Sequence, residues 1–358
     1  MENNLTINHY QYLVIGGGLA GCLFAFQLYK NNKSFLMFDP NHNHTSSKIA
    51  AGMFNPISGK RMSINWKVNE LLAELATTFK ELEQQLNRCF IIHEPIQQIF
   101  GNNKEANDFG SRKEDENFKK FITDTPLCEP NLIAPNGCFE VGQGGWVDTR
   151  KFIESYTNFL LQNNKLLQEE LTYEQLVQTE KNWQYKSNTF NCVICCDGYQ
   201  AIHNSLLNWL PFKLCKGELL LIHCPGLNAK KIVKKGVYLV NLGNDLYKAG
   251  ATYEWDNINE NYTEKGKLFL IEKLESLLNL PFKVVEQYAG VRPTTRDRNA
   301  ILGAHPQVKN FYIFNGLGTK GVLQAPFLAR QLFEHIELQK DLDKEIDIKR
   351  FYSCYPTT

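Results

Sequence analysis

The chain has 358 residues, a length that suits two domains or one large α/β body with a lobe. Hydrophobic residues make up 43% and charged ones 22%, which excludes a chain too polar to build a globular core. Net charge is +1, from 39 basic against 38 acidic side chains, so there is no electrostatic footprint for nucleic acid or an anionic membrane surface. Residues 1–9 are polar and lack a basic stretch ahead of an apolar one. The apolar run from Tyr12 is cut by three glycines and is too short to span a bilayer, so a cytoplasmic protein is expected.

In chain order, Tyr10-Gln-Tyr-Leu-Val-Ile15 predicts a strand, Gly16-Gly-Gly18-Leu-Ala-Gly21 a glycine turn, and residues 22–29 a helix. Strand, G-x-G-x-x-G and helix together are the context of a dinucleotide site. Gly16 would allow the tight turn, Gly18 the close approach of backbone to a pyrophosphate, and Gly21 close packing of helix on strand. Ser34-Phe-Leu-Met-Phe-Asp39 is a second strand, ending in a carboxylate placed to accept from a ribose 2′-hydroxyl and to repel a 2′-phosphate. These residues leave nicotinamide and flavin equally open.

Asn41-His-Asn-His44 is a solvated loop without metal-ligand spacing. The hydroxyls, lysine and small residues of Thr45 to Pro56 would bring backbone close to something flat or phosphorylated. Residues 66–89 repeat apolar positions at helical spacing, and 90–100 predict one strand. Residues 101–127 are expected to be a charged, solvated loop region. Gly142 to Asp148 leads into a helix over 149–163, capped by Thr149 or Asp148. Residues 166–176, 183–185 and 192–196 predict strands. The Cys192, Cys195 and Cys196 cluster within them suits small buried hydrophobes better than a metal. Residues 219–224, 236–240 and 245–252 then follow as strands without intervening helices, before a helix over 262–278. That order suggests an antiparallel sheet separate from the parallel one.

Near the C-terminal end stand Ala289-Gly-Val-Arg292-Pro-Thr-Thr-Arg-Asp297, a strand Phe311-Tyr-Ile-Phe-Asn315, and Gly316-Leu317-Gly318-Thr319-Lys320-Gly321 before a helix beginning at Val322. This second G-x-G-x-x-G has no acid-tipped strand after it and cannot be a second dinucleotide unit. What remains is a helix mouth with backbone N–H groups and a positive dipole end, suited to an electron-rich group.

Four of these phrases, in order, resemble the D-amino-acid oxidase/glycine oxidase superfamily. Ser47-Lys48-Ile-Ala-Ala-Gly52-Met53-Phe-Asn-Pro56 is similar to the family's S-x-x-A-A-G-M-x-x-P segment. Gly-Gly-Trp-Val-Asp148 is similar to its crossing between lobes. Gly-Val-Arg292-Pro and the second glycine loop match its C-terminal signature. The wording is also similar to the oxidase domain of the bifunctional tRNA-uridine modification enzyme. The resemblance implies an α/β fold: a Rossmann-like FAD-binding domain (1–80, 143–210 and 286–358) with a mainly antiparallel α+β substrate domain (81–142 and 211–285). It implies FAD, held non-covalently, along Gly16, Gly18, Gly21, Asp39, Ser47, Lys48, Gly52, Met53, Gly198 and the run from Leu317 to Val322. Arg292 would take a substrate carboxylate, Tyr238 would touch substrate, and Lys248 would lie near flavin N5 and assist an oxygen acceptor. Lys320 would sit where negative charge develops on the flavin.

The implied reaction is hydride transfer from the α carbon of a small amine or amino acid to the flavin, with oxygen or another acceptor completing turnover. The alternatives are trimming of a carboxymethylamino group on a tRNA uridine, an NAD-dependent dehydrogenase, and a non-catalytic flavin-binding protein. No metal is expected.

Overall fold

The computed structural model describes residues 8–59, 61–123 and 127–356; residues 1–7, part of the segment read for a leader, lie outside them. The chain forms two compact units. The first comprises Met1–Lys48, Arg150–Cys215 and Arg292–Thr358, and the second Ile49–Thr149 and Lys216–Val291. Residues 49–80 and 143–149 therefore pack with the second unit.

The first unit is built on a mainly parallel sheet. The Asn8–Ile15 strand lies between Phe35–Phe38 and Asn188–Cys195, parallel to both, with Ile15 level with Phe38 and with Cys195. Phe311–Asn315 adds in parallel beyond, with Ile313 level with Cys195. Four strands thus deliver their C-terminal ends to one rim, where ligands bind in sheets of this class. The strands read as continuous apolar runs because both sheet faces are covered: Leu13, Ile15, Phe38, Val193 and Ile313 are all buried in one cluster. The first helix runs Leu19–Lys30, three residues earlier than its sequence pattern suggests, and Gly18 serves as its N-cap.

The second unit holds an eight-stranded sheet in which Ile232–Lys235 runs parallel to Ile96–Ile99 and Cys215–His223, Leu246–Gly250, Val237–Gly243 and Ile232–Lys235 pair antiparallel in turn. One face packs on the Glu264–Glu275 helix through Leu220, Leu239, Leu270 and Leu274. The other packs on Ala51, Ile57, Trp146 and their neighbours.

Several expectations are corrected. The span 101–127 contains two helices: Asn103–Arg112, capped by Asn102 accepting from Glu105 N at 3.0 Å, and Glu116–Lys119, capped by Asp115 accepting from Asn117 N at 2.8 Å. Their charge hid the short caps. Residues 90–100 form two strands, Ile91–His93 and Ile96–Ile99, in different sheets. Pro95 between them lacks the N–H that a continuous ladder needs. In 166–176 only Leu166–Leu167 pairs before a 3₁₀ turn at Tyr173–Gln175. Thr149 does not cap its helix: it lies in the first turn, and its Oγ1 is buried without a partner among the described residues. Cys128 and Cys138, which belong to no CxxC pattern, form a disulfide. No described helix is long and apolar enough to cross a membrane.

Candidate active site

The first unit brings both glycine loops to the same rim. Gly16 turns with φ +96°, and a Cβ there would lie 2.6 Å from Cys196 O, so the loop runs directly against the end of the neighbouring strand. A Cβ on Gly21 would fall 1.8 Å from Gly16 O, which only glycine avoids, and helix and loop are pressed together as a result. Gly18 caps the first helix without a side-chain hydrogen bond. Ser47 Oγ accepts from Leu19 N at 3.1 Å and tethers the following segment to that helix mouth.

Asp39 reaches back to the loop. Its Oδ1 accepts from Gly17 N at 2.9 Å, and its Oδ2 accepts from Asn41 N at 3.1 Å. Each carboxylate oxygen has a further acceptor site. Lys48 follows Ser47 in the same segment. Its Nζ donates to Asn41 Oδ1 at 2.7 Å and to His42 O at 2.8 Å, so the side chain braces the Asn41 to His44 loop. Burial of this ammonium pushes its pKa down.

At the second loop, Gly318 adopts φ +53° with its N donating to Pro293 O at 3.2 Å, which seats the loop on the segment just after Arg292. Lys320 is the N-cap of the Gly321–Leu338 helix and makes no side-chain cap hydrogen bond. A Cβ on Gly321 would lie 3.5 Å from Leu19 Cδ2, so the two helices start side by side. Thr319 is exposed, Leu317 half-buried and Val322 buried. Burial, with the Arg298 guanidinium adding to it, holds the Lys320 ammonium below its ordinary pKa.

Sequence reasoning missed Asn315. It is 2% exposed; its Nδ2 donates to Gly198 O at 2.7 Å while its Oδ1 accepts from Gly316 N at 2.8 Å. One amide thereby latches the Gly198 turn to the second glycine loop. The available signal was a polar residue ending an apolar strand directly before a glycine. Gly198 has φ +60°, and a Cβ there would meet nothing within 4 Å. Arg292 ends the Lys283–Arg292 strand, and its Nη1 donates to Cys215 Sγ at 3.7 Å.

In the second unit, Gly52 lies against Val147, whose N donates to Gly52 O at 3.0 Å, and Met53 pairs with Trp146. A Cβ on Gly52 would stand 1.8 Å from Val147 O. Lys248 Nζ donates to Ala50 O at 3.1 Å, so lysine and segment 50–53 adjoin. Tyr238 pairs with Gly250, and Val240 with Lys248, which puts Tyr238 and Lys248 on one sheet face. Among the described residues no group of three or more His, Cys, Asp and Glu is arranged to hold a metal ion.

The first unit's residues fit FAD. Neither N-cap residue hydrogen-bonds its own helix through a side chain, and apart from Leu19 N, which Ser47 Oγ takes up, the first-turn backbone N–H groups of the two helix mouths suit anionic or electron-rich atoms. Loops so tight that a Cβ would clash allow backbone itself to be the binding surface. Asp39 retains acceptor capacity for ribose hydroxyls.

Comparison with known proteins agrees with this geometry. The family described as "DAO: FAD dependent oxidoreductase" matches residues 11–335. An uncharacterized oxidoreductase of Bacillus subtilis, YurR, is 23% identical over 353 residues, covering 90% of this chain and 93% of that protein. The glycine oxidase structure from Geobacillus kaustophilus superposes with a TM-score of 0.78 at 19% identity, covering 96% of this chain and 98% of that one. An iminodiacetate oxidase structure from a Chelativorans species gives 0.79 at 18% identity, over 95% and 98%. The nicotinamide alternative is set aside, since the matched family takes FAD. This chain belongs to the DAO family of FAD-dependent oxidoreductases, the D-amino-acid oxidase/glycine oxidase superfamily, and is an FAD-using enzyme.

Proposed function

We propose that this enzyme oxidises the C–N bond of a small amine or amino acid that carries a carboxylate. The observation that carries the proposal is that the loop seated on Pro293, next to Arg292, opens a helix beside the one that starts after Gly18. On this proposal a carboxylate clamp and two cofactor-holding helix mouths would belong to a single unit.

When bound, non-covalently on this proposal, FAD supplies the acceptor for the hydride that leaves the substrate's α carbon. The chain's residues would do the rest by binding and orienting. Asp39 would accept from ribose hydroxyls, while the Gly16 to Gly21 loop and Ser47 would surround the pyrophosphate. Gly52, Met53, Gly198 and Leu317 to Val322 would flank the reactive ring. The planar fork of Arg292 would take the carboxylate through two parallel hydrogen bonds, fixing the α carbon in place. Tyr238 would touch the substrate. Lys248, anchored on Ala50 O, would lower the cost of negative charge developing on an acceptor such as oxygen. Hydrolysis of an imine product needs only water.

The test mixes the FAD-loaded enzyme with amines and amino acids in the absence of oxygen and follows the visible flavin absorbance. Bleaching by an amine with a carboxylate, and little by the matching amine without one, is expected. A panel that leaves the colour unchanged refutes the proposal.

A further inference from the structure

The C-terminal end of the chain has no part in the chemistry proposed for the site, yet within the first unit it reaches the second glycine loop. The Ile348–Cys354 3₁₀ segment docks along the Ile301–Ala304 strand. Leu302 N donates to Ile346 O at 2.9 Å, Tyr352 Oη donates to Ala304 O at 2.9 Å, and Ile348 is buried with Ile301 in one cluster.

Arg350 leaves this segment toward the turn that follows Arg292. Its Nε donates to Asp297 Oδ2 at 2.8 Å and its Nη2 to Ala300 O at 2.8 Å. Its Nη1 donates to Asp347 O at 3.0 Å, which fixes the fork to its own segment. Asp297 uses its other oxygen inside the turn: Oδ1 lies 2.8 Å from Thr295 Oγ1 and accepts from Asn299 N at 3.1 Å. Arg298, in the middle of this turn, takes φ +62°, a left-handed conformation that a side chain disfavours. Such a conformation persists where the surroundings over-determine it, and the Asp297–Arg350 pair supplies that support.

The same turn walls the second glycine loop. A Cβ on Gly316 would lie 3.0 Å from Thr295 Cγ2, 3.1 Å from Ile301 N and 3.2 Å from Asn299 O, and one on Gly318 would lie 3.2 Å from Thr294 Cγ2. Contacts this close transmit displacement, so the loop follows the turn. The turn also brings the Arg298 guanidinium near enough to Lys320 to depress that ammonium's pKa. The Asp297 side chain is 34% exposed, so the ion pair by itself adds little stability; what the planar fork adds is direction.

We propose that Arg350 is a positioning residue for the cofactor. By way of Asp297 it holds the 295–299 turn, and with it the loop from Gly316 to Gly321, in the shape that grips FAD. The C-terminal segment is then part of the cofactor site. The inference rests on the second glycine loop holding FAD and is independent of the substrate.

The experiment titrates FAD into the stripped full-length chain, followed by flavin fluorescence, and measures the reduction potential of the loaded protein. Arg350→Gln and Asp297→Asn should each weaken FAD binding about tenfold, the size of coupling through one hydrogen-bond network. The double variant should be no weaker than either single one. Arg350→Lys, which keeps the charge and loses the fork, should fall between wild type and Arg350→Gln. Loaded Arg350→Gln should have a lower potential than wild type, because the loop and Lys320 are no longer held against the reduced ring. Tyr352→Phe removes a hydrogen bond of the same segment away from the turn; it should lower the melting temperature and leave FAD affinity as in wild type. Wild-type affinity and potential in Arg350→Gln, losses that add in the double variant, or equal weakening in Tyr352→Phe would each overturn the proposal. Thr319→Glu, which alters the loop itself, separates the two readings. If it weakens FAD binding and Arg350→Gln does not, the positioning role alone fails; if it binds FAD undiminished, the placement of FAD on this loop fails and the positioning role with it.

Discussion

Lys320 shows how a single side chain can be costly to the bare protein and useful to the loaded one. Its ammonium is half-buried and faces the like charge of Arg298, and both depress its pKa. Below that lowered pKa the group is charged in folded and unfolded chains alike, and the folded state bears the full penalty. Between it and the ordinary value of 10.5 the unfolded chain holds the extra proton, so stability rises with pH. FAD-free Lys320→Met should therefore be more stable than wild type at neutral pH, with a gain that shrinks as pH approaches 10.5 in thermal melts; a constant or negative difference would contradict this. In the FAD-loaded protein the same variant should lower the two-electron reduction potential by about 30 mV, equivalent to about 1.4 kcal/mol, and an unmoved potential would remove Lys320 from the cofactor's surroundings. Arg292→Ala should raise KM for a carboxylated substrate about a hundredfold, consistent with a charge-assisted bidentate pair, while FAD stays bound. Unchanged steady-state kinetics would refute the clamp. At this scale residue type was legible and side-chain direction was not. Lys48 was assigned to the cofactor from its neighbours in sequence, and that its Nζ bonds Asn41 and His42 is not disclosed by spacing. Asn315 drew no notice because its two partners lie in different segments of the chain.

Among the elements, those with a strong local signal were read well. The Asn8–Ile15 strand and the glycine turn after it carry all their information within fourteen consecutive residues, 8–21. Elements whose boundaries depend on tertiary partners were misread, such as the 90–100 run that Pro95 divides between two sheets. The Glu264–Glu275 helix shows how far apart such partners can lie. Its N-cap Thr263 accepts from Gly266 N at 3.0 Å, and Thr263 is itself held by Glu218, which accepts from Thr263 N at 2.9 Å and Thr263 Oγ1 at 2.8 Å. Glu218 also accepts from Gln287 Nε2 at 2.8 Å and lies 3.7 Å from Lys216 Nζ, with both charged residues buried. Removing one member of a buried pair leaves the other uncompensated, at a cost of about 3–5 kcal/mol. Glu218→Ala should show a loss of that size in urea unfolding, and a midpoint within error of wild type would show the network to be dispensable.

For the molecule as a whole, the α/β class, the separate antiparallel sheet and the FAD family were all legible, because each rests on the order of motifs along the chain. The substrate was not, since the side chains proposed to meet it, such as Tyr238 and Lys248, share a sheet face only through strand register. The central claim is that the Gly16 and Gly318 loops, brought to one rim by four parallel strands, serve one FAD. The most direct test is an FAD titration of stripped protein, followed by flavin fluorescence, for wild type, Gly18→Val and Thr319→Glu. Thr319 is exposed beside a helix N-terminus, where a carboxylate is tolerated by the fold, so Thr319→Glu tests the cofactor contact and spares the helix. The account predicts about one FAD per wild-type chain and binding at least about tenfold weaker in each variant, a change of about 1.4 kcal/mol. Undiminished affinity in Thr319→Glu, or a wild type that takes up no FAD, would contradict it.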